Sequence, residues 1–280
     1  MEVIMNFNVI FSRKFWLSSI TLTCFSLFSL GVLFVSTTSA EIDPDTLVGM
    51  WLFDEGKGKV ATDASGNKLD GEFEGSPKWV EGKFGMALEF DGKSAYVQIP
   101  AHENPTEAIT VSAWAKSGAD LWNQPGWIVE KRNAYIIHPN SGTKNIAWPV
   151  CNGGCWNKPG GWNDGNVGTD DITEWHMYTT TFDSDTGEWY IYIDAEEASA
   201  LDLAKNPIDL DTGPANIGFD DCCGGARFGL GAVDEVAIFS VALEQEDIEK
   251  LYKDGLYFGV LAVEPADKMT TTWANVKVKY

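Results

Sequence analysis

The sequence predicts an all-β fold, an antiparallel sandwich or barrel with one short C-terminal helix. Three observations predict it. Gly and short polar clusters punctuate the chain every eight to fifteen residues, leaving short strand-like runs between them. Several runs alternate apolar and polar residues, the period of a strand with one buried face. Only Glu244–Asp254 carries helical periodicity. Hydrophobic residues make up 44% of the 280, with 12 Trp among them, which is enough to bury a full core and excludes intrinsic disorder.

Taken in order, the first forty residues read as an address. Arg13 and Lys14 precede an apolar run from Phe15 to Val35, and Ser36-Thr-Thr-Ser-Ala40 follows. This is the pattern of a secretory signal cut after Ala40; left uncut, the run is long enough to serve as an N-terminal anchor. Cys24 lies in this run without a lipobox, so no lipid attachment is expected. Residues 41–262 form the folded domain, and 263–280, with Pro265 and a Lys-rich end, form a tail.

Within the domain, Met86–Asp91 and Ser94–Ile99 read as a hairpin across Gly92-Lys93. In Ile109–Ala115, Ile109, Val111 and Ala113 fall on one side and Thr110, Ser112 and Trp114 on the other. Glu174–Phe182 and Glu188–Asp194 form a second hairpin on the turn-forming Asp183-Ser-Asp-Thr-Gly187. Val233–Phe239 is a strongly apolar strand. In the helix, Ile248, Leu251 and Tyr252 share a face, the first turn is acidic and Gly255 stops it. Leu121–Asp171 breaks the rhythm. With five Trp, Cys151, Cys155 and many Gly, Asn and Pro, it reads as a long loop, a kind that is usually functional.

The formal net charge is −21, which argues against nucleic acid and against docking on anionic lipid; the only membrane contact foreseen is the N-terminal segment. An exported chain is secreted, periplasmic or at the cell surface, compartments that permit disulfides. Cys151, Cys155, Cys222 and Cys223 then allow three pairings. Two of them join the loops at 151–155 and 222–223; the third makes a local Cys151–Cys155 bridge and a vicinal Cys222–Cys223 bridge. Zinc is disfavoured, because C-x3-C with an adjacent Cys pair lacks the usual ligand spacing and no His is near.

A family resemblance enters through Trp51-Leu-Phe-Asp-Glu-Gly56, Asp63-Ala-Ser-Gly-Asn67 with Gly71, Gly82–Gly92 and Tyr96-Val-Gln-Ile-Pro100. Val111-Ser-Ala-Trp114, Trp175-His176, Trp189–Asp194 and Val233–Leu243 continue it. In order and spacing these resemble a laminin-G-like, concanavalin A-like jelly-roll domain over about residues 45–256. The sequence departs from the family at Ala195, where Gly is usual, and in the Trp/Cys-rich insert. The resemblance implies a two-sheet antiparallel sandwich that binds glycans or extracellular proteins, frequently with calcium. It fixes the fold more firmly than the function.

Three chemistries come into question for these residues. Glycosidases of this fold carry Glu-x-Asp-x-x-Glu on one strand, and no strand here has that pattern. Asp234 and Glu235 are adjacent and so are expected on opposite faces, while Glu72 and Glu74 read as solvated charges. Three His and no Gly-x-Ser-x-Gly give no basis for a Ser-His triad, and His176 reads as structural. Catalysis is not supported. For a metal, the resemblance makes Asp234 the candidate ligand of a structural calcium, with Asp54 and Asp91 as neighbours; the alternative is that Asp234 accepts from loop N–H groups. For a ligand, Trp148, Trp156 and Trp162 stand between polar residues including Asn157, and Asp220 and Arg227 lie in the 219–228 loop. Such aromatic and polar residues suit a sugar, whose C–H faces stack on rings. The alternative packs these Trp under the loops. A disulfide between the loops would give them one rigid rim; a vicinal bridge would offer a flat sulfur surface. Trp51, Trp114, Trp175 and Trp189 are expected in or near the core. The chain therefore reads as an exported, non-catalytic carbohydrate-binding or adhesion module. A protein-interaction module of the same fold is the alternative, and a glycosidase ranks third.

Overall fold

The computed structural model describes residues 42–153, 165–225 and 227–261. The stretches read above as a signal and a tail lie outside the described residues, as do Cys155, Trp156, Asn157 and Trp162. Among the described residues, no helix is long and apolar enough to cross a membrane.

The strands in chain order are β1 (Leu47–Trp51), β2 (Val60–Ala61), β3 (Gly71–Glu74), β4 (Lys78–Glu81), β5 (Met86–Asp91) and β6 (Tyr96–Ile99). Next come β7 (Ala108–Ser117), β8 (Val129–Lys131), β9 (Tyr135–Pro139), β10 (Asn145–Ala147), β11 (Val167–Gly168) and β12 (His176–Asp183). The last are β13 (Glu188–Ile193), β14 (Glu196–Asp202), β15 (Ala215–Ile217), β16 (Phe219–Asp220), β17 (Arg227–Phe228) and β18 (Leu230–Phe239). Helix α1 (Gln245–Leu256) follows.

Two large antiparallel sheets result. Sheet 1 runs β14-β13-β12-β7-β18-β5-β4, with β1 also on β18; sheet 2 runs β11-β10-β9-β8-β15-β6-β3-β2. Between them lies the main core, which includes Trp51, Leu88, Phe90, Val97, Val111, Ile137, Trp189 and Val233. The alternation read from β7 explains its position. Ile109, Val111 and Ala113 enter this core, while Trp114 faces the other way. There Trp114, Met177 and Phe239 meet Ile248, Leu251 and Leu256 of α1, so the helix covers the outer face of sheet 1. Tyr252 stacks on Trp114 with ring centroids 5.3 Å apart. The architecture is the antiparallel two-sheet sandwich with one short C-terminal helix. Among the described residues, the outer face of sheet 2 carries no helix.

Two expectations from sequence are corrected. Met86–Asp91 and Ser94–Ile99 do not form a hairpin: β5 pairs with β4 and β18 in sheet 1, β6 with β3 and β15 in sheet 2. The turn between them carries the chain across the sandwich. Asp91 Oδ1 accepts from the N–H of Lys93, Ser94 and Ala95 at 2.8–3.0 Å, so that the apolar faces of both strands meet in one core. The segment Leu121–Asp171 is also no simple loop, because it supplies β8, β9, β10 and β11 to sheet 2. Trp122, Trp127 and Trp148 are buried in the main core, with Trp122 and Trp127 edge-to-face at 5.6 Å.

The quoted motifs have local reasons. Asp63 is buried. Its Oδ1 accepts from Met50 N at 3.0 Å and Ser65 N at 2.9 Å, and its Oδ2 from Leu69 N at 2.9 Å. Gly71 is required by close approach, since a Cβ there would lie 2.4 Å from Val97 Cγ1. His176 is structural, as expected, held between Asp194 Oδ2 at 2.6 Å and the Asp171 carbonyl at 2.8 Å.

Candidate functional site

The outer face of sheet 2 begins as a row of strand residues in register. Val97, Val129, Ile137 and Ile217 point into the core. Their neighbours therefore point outward, aligning Glu72, Gln98, Asn216, Glu130 and Ile136 across five strands. Glu130 and Asn216 are buried although they face outward. Asn216 Nδ2 donates to Glu130 Oε2 at 2.8 Å, while Glu130 Oε1 and Asn216 Oδ1 are buried without a hydrogen-bond partner among the described residues. Burial pushes the Glu130 acid up to about 8; Asp221 and Asp220 add to the rise, and the Asn216 bond opposes it.

Beside this row stands the two-stranded ribbon β16–β17. Glycines close its base: Gly229 N donates to Gly218 O at 2.9 Å, and Gly218, at φ 90°, adopts a conformation that favours glycine. Phe219 lies opposite Phe228 and Asp220 opposite Arg227. Asp220 is fully buried and takes Arg132 Nη1 on Oδ1 at 2.7 Å and Arg227 Nη1 on Oδ2 at 2.8 Å. Cys222 N also donates to Oδ1, at 3.0 Å. Gly126 makes room for this carboxylate, since a Cβ there would lie 2.5 Å from Asp220 Oδ2. Each carboxylate oxygen thus meets a guanidinium, the arrangement a buried charge needs.

The ribbon's aromatic pair continues onto the sheet. Tyr96 of β6 stacks on Phe219 with centroids 4.6 Å apart; Phe219 and Phe228 are 4.9 Å apart, and Tyr96 and Phe228 6.1 Å. All three rings are half-buried. Burial raises the Tyr96 hydroxyl, and the charges of Glu74 and Asp221 raise it further. At the ribbon tip Cys222 and Cys223 form a vicinal disulfide, with Cys223 exposed beside exposed Asp221. The pairings that would join this loop to the 151–155 loop are thereby excluded, and so is the rigid rim they implied.

The ligand candidates separate. Asp220 and Arg227 come together as an ion pair. Trp148 is not a surface ring: it is fully buried, and its carbonyl accepts from Trp189 Nε1 at 2.9 Å. The inserted strands bring it between the two sheets, where an indole fills space that no sugar reaches.

The acidic residues expected around calcium do not converge. Asp234 is buried, and its Oδ2 accepts from Lys83 N at 2.8 Å and Phe84 N at 3.0 Å. Asp54 Oδ1 accepts from Met86 N at 3.0 Å, so both carboxylates pin the turn from 82 to 86. Asp91 stands apart. It lies opposite Leu230, whereas Val233 lies opposite Leu88, which puts Asp91 about 13 Å along the strand from Asp234. Asp234 Oδ1 is buried without a hydrogen-bond partner among the described residues. This donor set is a carboxylate held by amides, the alternative reading, and it does not gather the oxygens of a calcium cage. Asp234 and Glu235 also depart from strict alternation. A bulge follows Asp234, Glu235 has φ 48°, and its carboxylate accepts from Leu256 N. Glu235 is close enough that its charge, after burial, raises the Asp234 acid, which reaches about 8.

A family model for the concanavalin A-like lectin/glucanases superfamily matches residues 91–249, more than half of the chain. The chain belongs to that superfamily. No curated protein sequence matches it. Among solved structures, this concanavalin A-like domain is similar to domain 4 of AbnA, an extracellular arabinanase of Geobacillus stearothermophilus, in complex with arabinotriose. The TM-score is 0.56 at 17% identity, covering 74% of this chain and 98% of that one. It is also similar to the binding domain of botulinum neurotoxin DC in complex with SialylT, with a TM-score of 0.59 at 17% identity, covering 76% of this chain and 52% of that one. The same toxin domain in complex with rat synaptotagmin II gives a TM-score of 0.52 at 16% identity, again covering 76% and 52%. The chain therefore spans about half the length of the toxin domains, and at these identities the likeness is one of fold.

Sequence reasoning did not single out Tyr96, Phe219, Phe228, Arg132, Glu130 or Asn216 in this concanavalin A-like domain. A signal for the aromatic trio was present. In Tyr96-Val-Gln-Ile99, Val97 and Ile99 take the core face, which leaves Tyr96 on the solvent face; Phe219 and Phe228 bracket the Cys-Cys-Gly-Gly turn symmetrically. No local pattern announces that Glu130 and Asn216 meet, because they lie 86 residues apart.

Proposed function

We propose that this domain is an exported, non-catalytic carbohydrate-binding module whose site lies on the outer face of sheet 2. The observation that carries this reading is the half-buried trio Tyr96, Phe219 and Phe228 beside exposed Asp221 and Cys223 and half-buried Arg227. Aromatic faces stack on the C–H faces of a sugar, while the carboxylate and guanidinium read its hydroxyls. The arabinotriose and SialylT complexes of structurally similar domains support a glycan as the ligand class. The facing acids Glu130 and Asp220 are both buried, and Asp220 is closed by two arginines, so they offer no carboxylate pair to a glycosidic bond.

The test is a glycan array followed by titration of retained oligosaccharides, arabinan fragments included, against wild type, Tyr96→Ala and Phe228→Ala. Retained glycan with about three- to tenfold weaker binding in each variant, at unchanged melting temperature, is the expected result. Equal binding by the variants would move the site elsewhere. A protein partner captured in place of any glycan would favour an adhesion module, as the synaptotagmin complex of a similar fold illustrates.

A further inference from the structure

We propose that Glu130, Asp220 and Asp221, with the side-chain carbonyl of Asn216, form a binding site for a divalent cation, calcium by the hardness of its donors. Carboxylate oxygens of the three acids lie within 4.8 Å of one another. Oxygens that close can share one ion at the calcium–ligand distance of about 2.4 Å. An acidic cluster alone would not make a site; the unpartnered atoms do. Among the described residues, Glu130 Oε1 is fully buried and has no hydrogen-bond partner. Asn216 Oδ1 is likewise buried and unpartnered, and its amide group is anchored to Glu130 by the 2.8 Å bond from Nδ2. Two oxygens with unused lone pairs therefore sit together beside two further carboxylates.

The guanidiniums of Arg132 and Arg227 close on the two oxygens of Asp220. Lys131, next in the chain, is turned to the opposite face, where Nζ donates to the carbonyls of His102 at 2.7 Å and Gly213 at 2.6 Å. The other two carboxyl groups of the cluster, Glu130 and Asp221, are left to answer a cation, whose charge would favour the ionised form of Glu130. Asp221 is exposed and gives the ion a way in, while waters complete the six to eight oxygens that calcium takes. The cation would tie the ribbon β16–β17 to β8 and β15, at a place distinct from the turn held by Asp234.

The test is calorimetric titration of chelator-treated full chain with calcium chloride, in wild type, Asp221→Asn, Glu130→Gln and Asp234→Asn. One calcium per chain is expected, weakened about tenfold or more in Asp221→Asn and Glu130→Gln and unchanged in Asp234→Asn. Asp221 is exposed and makes no hydrogen bond among the described residues, so its variant keeps the test valid should Glu130→Gln fold poorly. Absence of calcium binding by wild type, or binding undiminished in Asp221→Asn, overturns the proposal. Loss confined to Asp234→Asn overturns it too and moves the ion to the turn at 82–86. The glycan reading is tested through Tyr96 and Phe228, so either proposal fails without the other.

Discussion

Arg227 and Asp220 face each other across a two-stranded ribbon, with Nη1 2.8 Å from Oδ2, and Arg132 takes the other carboxylate oxygen at 2.7 Å. Asp220 is fully buried, so its charge depends on these two partners. Arg227→Ala leaves Arg132 in place and is expected to cost about 1–2 kcal/mol, while removing both arginines costs about 3–5 kcal/mol. Adding Asp220→Asn to the double variant should recover part of that loss. Urea denaturation of these proteins together with Arg132→Ala checks this; a double-arginine loss equal to the sum of the two single losses would count against a shared clamp.

Trp148 is a core residue, and its substitutions should act on stability. Trp148→Ala is expected to cost about 3–5 kcal/mol, and Trp148→Phe less. Any glycan retained by wild type should bind Trp148→Phe with the same affinity once folded. A binding defect without a drop in melting temperature would return Trp148 to the ligand site.

Asp234 should shape the pH dependence of stability. Burial raises its acid from 3.8 to about 8, against the two N–H bonds that favour the ionised form. Since the folded value lies above the unfolded one, its stabilising contribution is fully present below about pH 4. That contribution is lost as pH rises through 8. Asp234→Asn should therefore gain on wild type by about 1–3 kcal/mol between pH 5 and pH 8. Parallel unfolding curves for the two proteins at both pH values would refute this.

Asp63 organises the motif around it by accepting from three backbone N–H groups, those of Met50, Ser65 and Leu69. Asp63→Ala strands these donors and is expected to cost about 2–4 kcal/mol, with Asp63→Asn intermediate because only one of its side-chain atoms accepts. Chemical denaturation measures both.

Much of this was legible in the sequence. The alternation of Ile109, Val111 and Ala113 against Thr110, Ser112 and Trp114 placed both faces of β7 correctly, and Ile248, Leu251 and Tyr252 marked the face of α1 that packs. The partner of β6 was not legible. A short Gly-Lys turn suits a hairpin, and only the fan of N–H bonds to Asp91 sends the chain to the other sheet. Nor was the fate of the insert. Its Trp look alike in sequence, yet the strands among them carry Trp122, Trp127 and Trp148 inward.

Sequence by itself determined the strand periods, the helix, the acidic surface and the superfamily, because each rests on neighbours within a few residues or on the order of short motifs. Tertiary structure alone decided that Glu130 meets Asn216, that Asp220 is clamped by Arg132 and Arg227, and that Cys222 pairs with Cys223. It also decided that Tyr96 stacks on Phe219. The physical reason is that a strand's period fixes which face a side chain takes, whereas its partner on that face depends on pairing between strands far apart in the chain.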